Sequence, residues 1–99
     1  MSGKKYEIFM ARSAHRRYKK FPTALKNRVK EEAEALRSDP YICEELKGPL
    51  RGIRSYHFVY NSIEYRIAYR ILEQKKEIEV VLVKSRENFY QTLKRVITG

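Results

Sequence analysis

Residues 64–72 read EYRIAYRIL, and an alternation this strict suits one kind of backbone. Tyr65, Ile67, Tyr69 and Ile71 fall on one side of an extended chain, while Glu64, Arg66, Ala68 and Arg70 fall on the other. A strand with one apolar face needs neighbours along its edges and a second layer to cover that face. The sequence supplies the neighbours. RSYHFVY (54–60) comes before it and EIEVVLV (77–83) after it, separated by NSI and EQKK, breaks short enough for hairpins. By the same period, Tyr56, Phe58 and Tyr60 join the core side of the first run. Ser55, His57 and Val59 turn to the side of Arg66.

The covering layer lies in the first half, where the period changes. YEIFM (6–10) reads as a short first strand. Ser13 is placed to cap a short helix, AHRRYKKF, with Ala14, Tyr18 and Phe21 on one side and basic residues around the rest. Pro22 stops it. Thr23 offers a second cap, and Leu25, Val29, Ala33 and Leu36 recur at helical spacing until Asp39-Pro40 ends the run. RENFYQTLKRVI (86–97) reads as a closing helix capped by Ser85. The expectation is an α+β fold over a single domain, 1–99: an antiparallel-rich four-stranded sheet with the helices mainly on one side. The face carrying Arg66 is then left free.

Charge narrows the class of partner. Lys and Arg number 22 against 12 Asp and Glu, a formal charge of +10 on 99 residues. That balance attracts phosphate-rich or acidic partners, although charge also keeps a protein soluble. One cysteine, Cys43, excludes an internal disulfide and suits a reducing compartment. The sequence contains neither a secretory segment nor a long apolar span, so the expectation is a cytoplasmic protein without a membrane partner. Two histidines without paired ligand spacing give no metal site, and no glycine-rich loop is present to cradle a nucleotide.

Residues capable of chemistry gather on the Arg66 face. If 54–60 and 64–72 form a hairpin, His57 and Arg66 project from one surface, with Lys84 and Arg86 where the next strand ends and Tyr90 a helical turn beyond. This set suits metal-free cleavage of RNA. Histidine is the natural base or acid near neutrality, arginine stabilises charge, and tyrosine stacks or donates a hydrogen bond. Plainer readings stand beside it: a solvated arginine, a structural histidine, a first helical turn at Arg86 and Glu87, a core tyrosine at 90.

LKGPLRGIRSYHF, EYRIAYRI and VVLVKSRENFYQTLKR, in that order, resemble the RelE/ParE superfamily of bacterial and archaeal toxins over nearly the whole chain. The strongest matches are Leu46-Lys47-Gly48, Tyr65-Arg66-Ile67 with Tyr69, and Ser85-Arg86-Glu87 with Tyr90. The resemblance implies a toxin of a type II toxin–antitoxin pair, held by a small antitoxin. RelE-like members enter the ribosomal A site and cut mRNA without metal or small-molecule cofactor. By that likeness Arg66, Arg86 and Tyr90 belong to the catalytic set, which His57 completes from its place in the strand. The nearby cations Lys47, Arg51, Arg54 and Lys84 are expected to bind RNA of the 70S-type ribosome or its mRNA. Two departures stand out. The best-known members carry lysines where this chain has His57 and Val59, and their tyrosine lies farther from the arginine than Tyr90 does from Arg86. ParE-like members of the same superfamily poison DNA gyrase instead, and a non-toxic antitoxin-binding domain is a third alternative.

Overall fold

The computed structural model describes residues 5–98. The alternating run becomes β3 (Ile63–Leu72), flanked by β2 (Arg54–Tyr60) and β4 (Glu77–Ser85) in two antiparallel pairings. Asn61 and Ser62 make the β2–β3 turn with φ of 51° and 65°, the left-handed pair that a tight hairpin of this twist requires. β1 (Glu7–Met10) lies on the outer side of β4 and runs parallel to it, giving the order β1-β4-β3-β2. A parallel pair needs a crossover. Here the crossover contains α1 (Arg12–Tyr18), α2 (Thr23–Ser38) and the β2–β3 hairpin.

The helical hairpin covers one face of the sheet, as the pattern predicts. Ala14, Leu25, Val29 and Leu36 pack against Phe58, Ile67, Tyr69, Ile78, Val80 and Val83. Tyr69 is fully buried, and its hydroxyl donates to the Pro40 carbonyl at 2.7 Å, so the polar end of a core side chain is satisfied.

The opposite face is not left free. Its half nearest the start of β2 is covered by α3 (Phe89–Thr98), which buries Phe89 and Leu93 against Leu50, Ile53, Ala68, Val81 and Leu82. The helices therefore occupy both faces, and a register shift adds to the patch beneath α3. Ala68 pairs with Leu82 but Tyr69 with Val80, leaving Val81 between the rungs. The bulge brings Val81 and Leu82 into one cluster beneath α3. Ala68 offers no bulk to hold the helix away.

The three expected caps are also corrected. Ser13 lies inside α1, and its hydroxyl donates to the Val81 carbonyl at 3.3 Å; the helix follows directly from β1, whose ladder continues through the Ala11 N–H to the Val80 carbonyl at 2.8 Å. Thr23 is the first residue of α2, with Pro22 before it and no side-chain cap. Ser85 ends β4 opposite Tyr65, and α3 starts four residues later, after Asn88 turns left-handed at φ 55°.

At the far end of the β3–β4 hairpin, the Glu73 carboxylate is a staple. It pairs with Lys76 and accepts from the Tyr41 hydroxyl at 2.6 Å and the Tyr6 hydroxyl at 2.8 Å. Lys76 first, then Tyr41 and Tyr6, hold this carboxyl down to about 2.

Candidate functional site

The register across three strands sets the site. His57 lies opposite Arg66, and Arg66 lies opposite Lys84, so the three side chains leave the sheet in one row on the α3 side. Strand spacing puts roughly 5 Å between neighbours in such a row. Because the row lies just beyond Ala68, it emerges at the margin of α3, where the helix no longer covers the sheet.

Arg66 is the centre of the arrangement. Its Nη1 donates to the Tyr90 hydroxyl at 2.5 Å, and its guanidinium carbon lies 5.4 Å from the centroid of the Tyr90 ring. Its Nη2 is 2.8 Å from Glu64 Oε2. The buried Nε has no partner among the described residues. Held on two sides, the fork is fixed in direction before any ligand arrives. α3 supplies Tyr90 by burying Phe89 beneath it, the two rings meeting edge-on at 5.4 Å between centroids.

Arg86 is 71% exposed, and its Nη1 is 3.9 Å from the second oxygen of Glu64. Its main-chain N–H donates to the Glu64 carbonyl at 2.8 Å, extending the β3–β4 ladder by one bond. Lys84 donates to the Glu87 carbonyl and so ties the segment between β4 and α3 to the row. Beside it lies a shallow open depression with Val59, Ile63, Glu64 and Arg86 among its walls. The structure thus brings His57, Arg66, Lys84, Arg86 and Tyr90 together. An imidazole, two guanidiniums and an ammonium so placed have the chemistry to attract an anion, with the imidazole at one end of the row.

The remaining cations divide. Lys47 and Arg51 are exposed on either side of the short turn 48–50, whose Leu50 packs under α3, and neither has a carboxylate partner among the described residues. Arg54 is not with the site. It shares the parity of Tyr56 and Phe58, and its Nη1 donates to the Cys43 carbonyl at 2.5 Å while its guanidinium lies 4.9 Å from the Tyr41 ring. It holds segment 39–43 onto the sheet. The residue that sequence reasoning overlooked is Glu64, although the alternation had already placed it on the Arg66 face. No helix among the described residues is long and apolar enough to cross a membrane.

A four-stranded mixed sheet with a helical hairpin on one face and a C-terminal helix on the other is the RelE-like α+β fold. A chain of the RelBE2 toxin–antitoxin complex of Mycobacterium tuberculosis superposes with a TM-score of 0.73 at 25% identity, over 83% of this chain and 99% of that one. A free double-arginine mutant of Escherichia coli RelE gives 0.71 at 19% identity, over 92% and 97%. The archaeal RelE–RelB complex of Pyrococcus horikoshii gives 0.58 at 20%, over 83% and 96%. No curated protein matches the chain. The family model for ParE-like toxins of type II bacterial toxin–antitoxin systems matches residues 8–94. The chain belongs to that family, and it is a type II toxin of the RelE/ParE kind.

Proposed function

We propose that this toxin is a ribosome-dependent endoribonuclease that cuts mRNA in the A site. The observation that carries the reading is the single row of His57, Arg66 and Lys84, with Tyr90 laid on Arg66 and Arg86 beside it. In this reading His57 takes the proton of a ribose 2′-hydroxyl, whose oxygen then attacks the adjacent phosphorus. Arg66, Arg86 and Lys84 stabilise the crowded phosphorane. The bond from phosphorus to the 5′-oxygen breaks, leaving a 2′,3′-cyclic phosphate. Tyr90 accepts from Arg66 and keeps its own O–H free to donate toward the leaving oxygen. Every step uses groups of this chain, as metal-free RNA cleavage requires.

The toxin's partner in the cell is a cognate antitoxin, a reading supported by neighbours that are toxin–antitoxin complexes. Ribosome and mRNA are the other partners.

The rival is gyrase poisoning, the activity that the resemblance to ParE-like members implies, and the family model that matches is one of ParE-like toxins. Primer extension on a defined mRNA in reconstituted translation separates the two. Ribosome-dependent cuts within A-site codons, lost in Arg86→Ala, support the nuclease. Intact mRNA with a folded protein, together with gyrase-dependent DNA breaks, overturns it.

A further inference from the structure

Two carboxylates border these cations, Glu64 and Glu87, and Glu64 is the one that pairs with the arginines. Glu64 lies two residues before Arg66 on the same face of β3, opposite Val59. Its oxygens are divided between two guanidiniums, Oε2 at 2.8 Å from Arg66 Nη2 and Oε1 at 3.9 Å from Arg86 Nη1. The main-chain bond from the Arg86 N–H to the Glu64 carbonyl fixes the two residues on one rung, so the contact does not depend on side chains alone. A carboxylate and the non-bridging oxygens of a phosphodiester present arginine with the same paired acceptors. Glu64 therefore occupies the place where the proposed substrate's phosphate would be held.

Pairing with Arg66, itself mostly shielded from solvent, gives Glu64 a share in holding that guanidinium, but its reach to Arg86, which is largely in solvent, adds little to folding. From its place we infer that Glu64 is an internal competitor, a phosphate mimic that occupies Arg66 and Arg86 in the free toxin and must be displaced when a phosphodiester binds. The inference rests on reading this surface as an RNA site. A stray RNA meets arginines already engaged and a like charge beside its phosphate. A substrate fixed in place by other contacts overcomes both. The carboxylate thus weakens binding to free RNA more than to RNA presented in a larger complex.

The test uses an all-2′-deoxy trinucleotide, which carries the phosphates but has no 2′-hydroxyl to be cut. Its affinity is measured by calorimetry, at fixed ionic strength, for the whole protein and for Glu64→Gln. The expected result is a gain of roughly tenfold in the variant, the scale of removing one like charge near a phosphate, and a smaller gain when Arg86 is also replaced by Gln. Equal or weaker binding by folded Glu64→Gln overturns the inference and makes Glu64 an aligner of the arginines. If the variant does not fold, carbon NMR of the Glu64 carboxyl in the unaltered protein decides. Its resonance moves as the trinucleotide is added if Glu64 is displaced, and its standing still overturns the inference. Should the toxin cut no mRNA while Glu64→Gln gains affinity, the nuclease reading falls and the competitor stands. Should it cut while affinity is unchanged, the competitor falls alone.

Discussion

At Tyr90 the ring and the hydroxyl do different work. The ring lies over the Arg66 guanidinium and the hydroxyl accepts from it. Tyr90→Phe keeps the stack and loses the acceptor, so ribosome-dependent cleavage should fall roughly tenfold to a hundredfold, the scale of a hydrogen bond to a charged group. Single-turnover rates with saturating ribosomes would show it. Arg86 separates chemistry from stability more cleanly. Being 71% exposed, it should change the folding free energy by about 0.5 kcal/mol or less when replaced by Ala. The same change should lower cleavage about a hundredfold to a thousandfold, by analogy with removing a charge-stabilising donor. Tyr69→Phe has the reverse signature. It strips a buried hydroxyl from the Pro40 carbonyl and should cost about 1–2 kcal/mol in urea unfolding, with cleavage by the surviving folded protein unchanged.

The element that joins core to site is α3, and Phe89 is its anchor. Phe89→Ala should cost about 3–5 kcal/mol, read by thermal or urea unfolding, because it empties a buried volume between the helix and Leu82. It should also loosen Tyr90, one residue on. Sequence alone showed much of this site and hid the rest for definite reasons. Alternation in 54–60 and 64–72 was enough to set His57 beside Arg66, because parity follows from the pleat. It did not show α3 on the other face, because the apolar patch that receives it is assembled from Leu50, Ile53, Ala68, Val81 and Leu82 on separate elements, with Val81 added by a bulge that no local pattern marks. Ser13, Thr23 and Ser85 looked like caps by residue type, but α1 starts where β1 ends, α2 follows Pro22, and α3 follows the left-handed turn at Asn88. Arg54 looked like another surface cation until its parity placed it against Tyr41. The staple at Glu73 gives a pH test at the same scale. Its folded-state pKa, about 2, is depressed below the ordinary carboxylate value, so its contribution is complete above that ordinary value and is lost as pH falls toward 2. Glu73→Gln should therefore flatten the acid limb of stability against pH, measured by denaturant midpoints.

Over the whole molecule, +10 on 99 residues acts before any single contact forms. Association with ribosomes should weaken steeply with salt, and in a plot of log affinity against log salt Lys84→Gln should reduce the slope by about one, as expected for one phosphate contact. The order of the chain has a different effect. β1 has one partner in the sheet, β4, and the two are separated by both helices of the hairpin and by β2 and β3. During synthesis the first strand must wait for the last before it can pair, and Arg86 and Tyr90 emerge later still. A ribosome making this protein therefore holds a chain with neither a finished sheet nor a complete anion site. The weapon is assembled only after nearly all of it has left the machine it is proposed to attack.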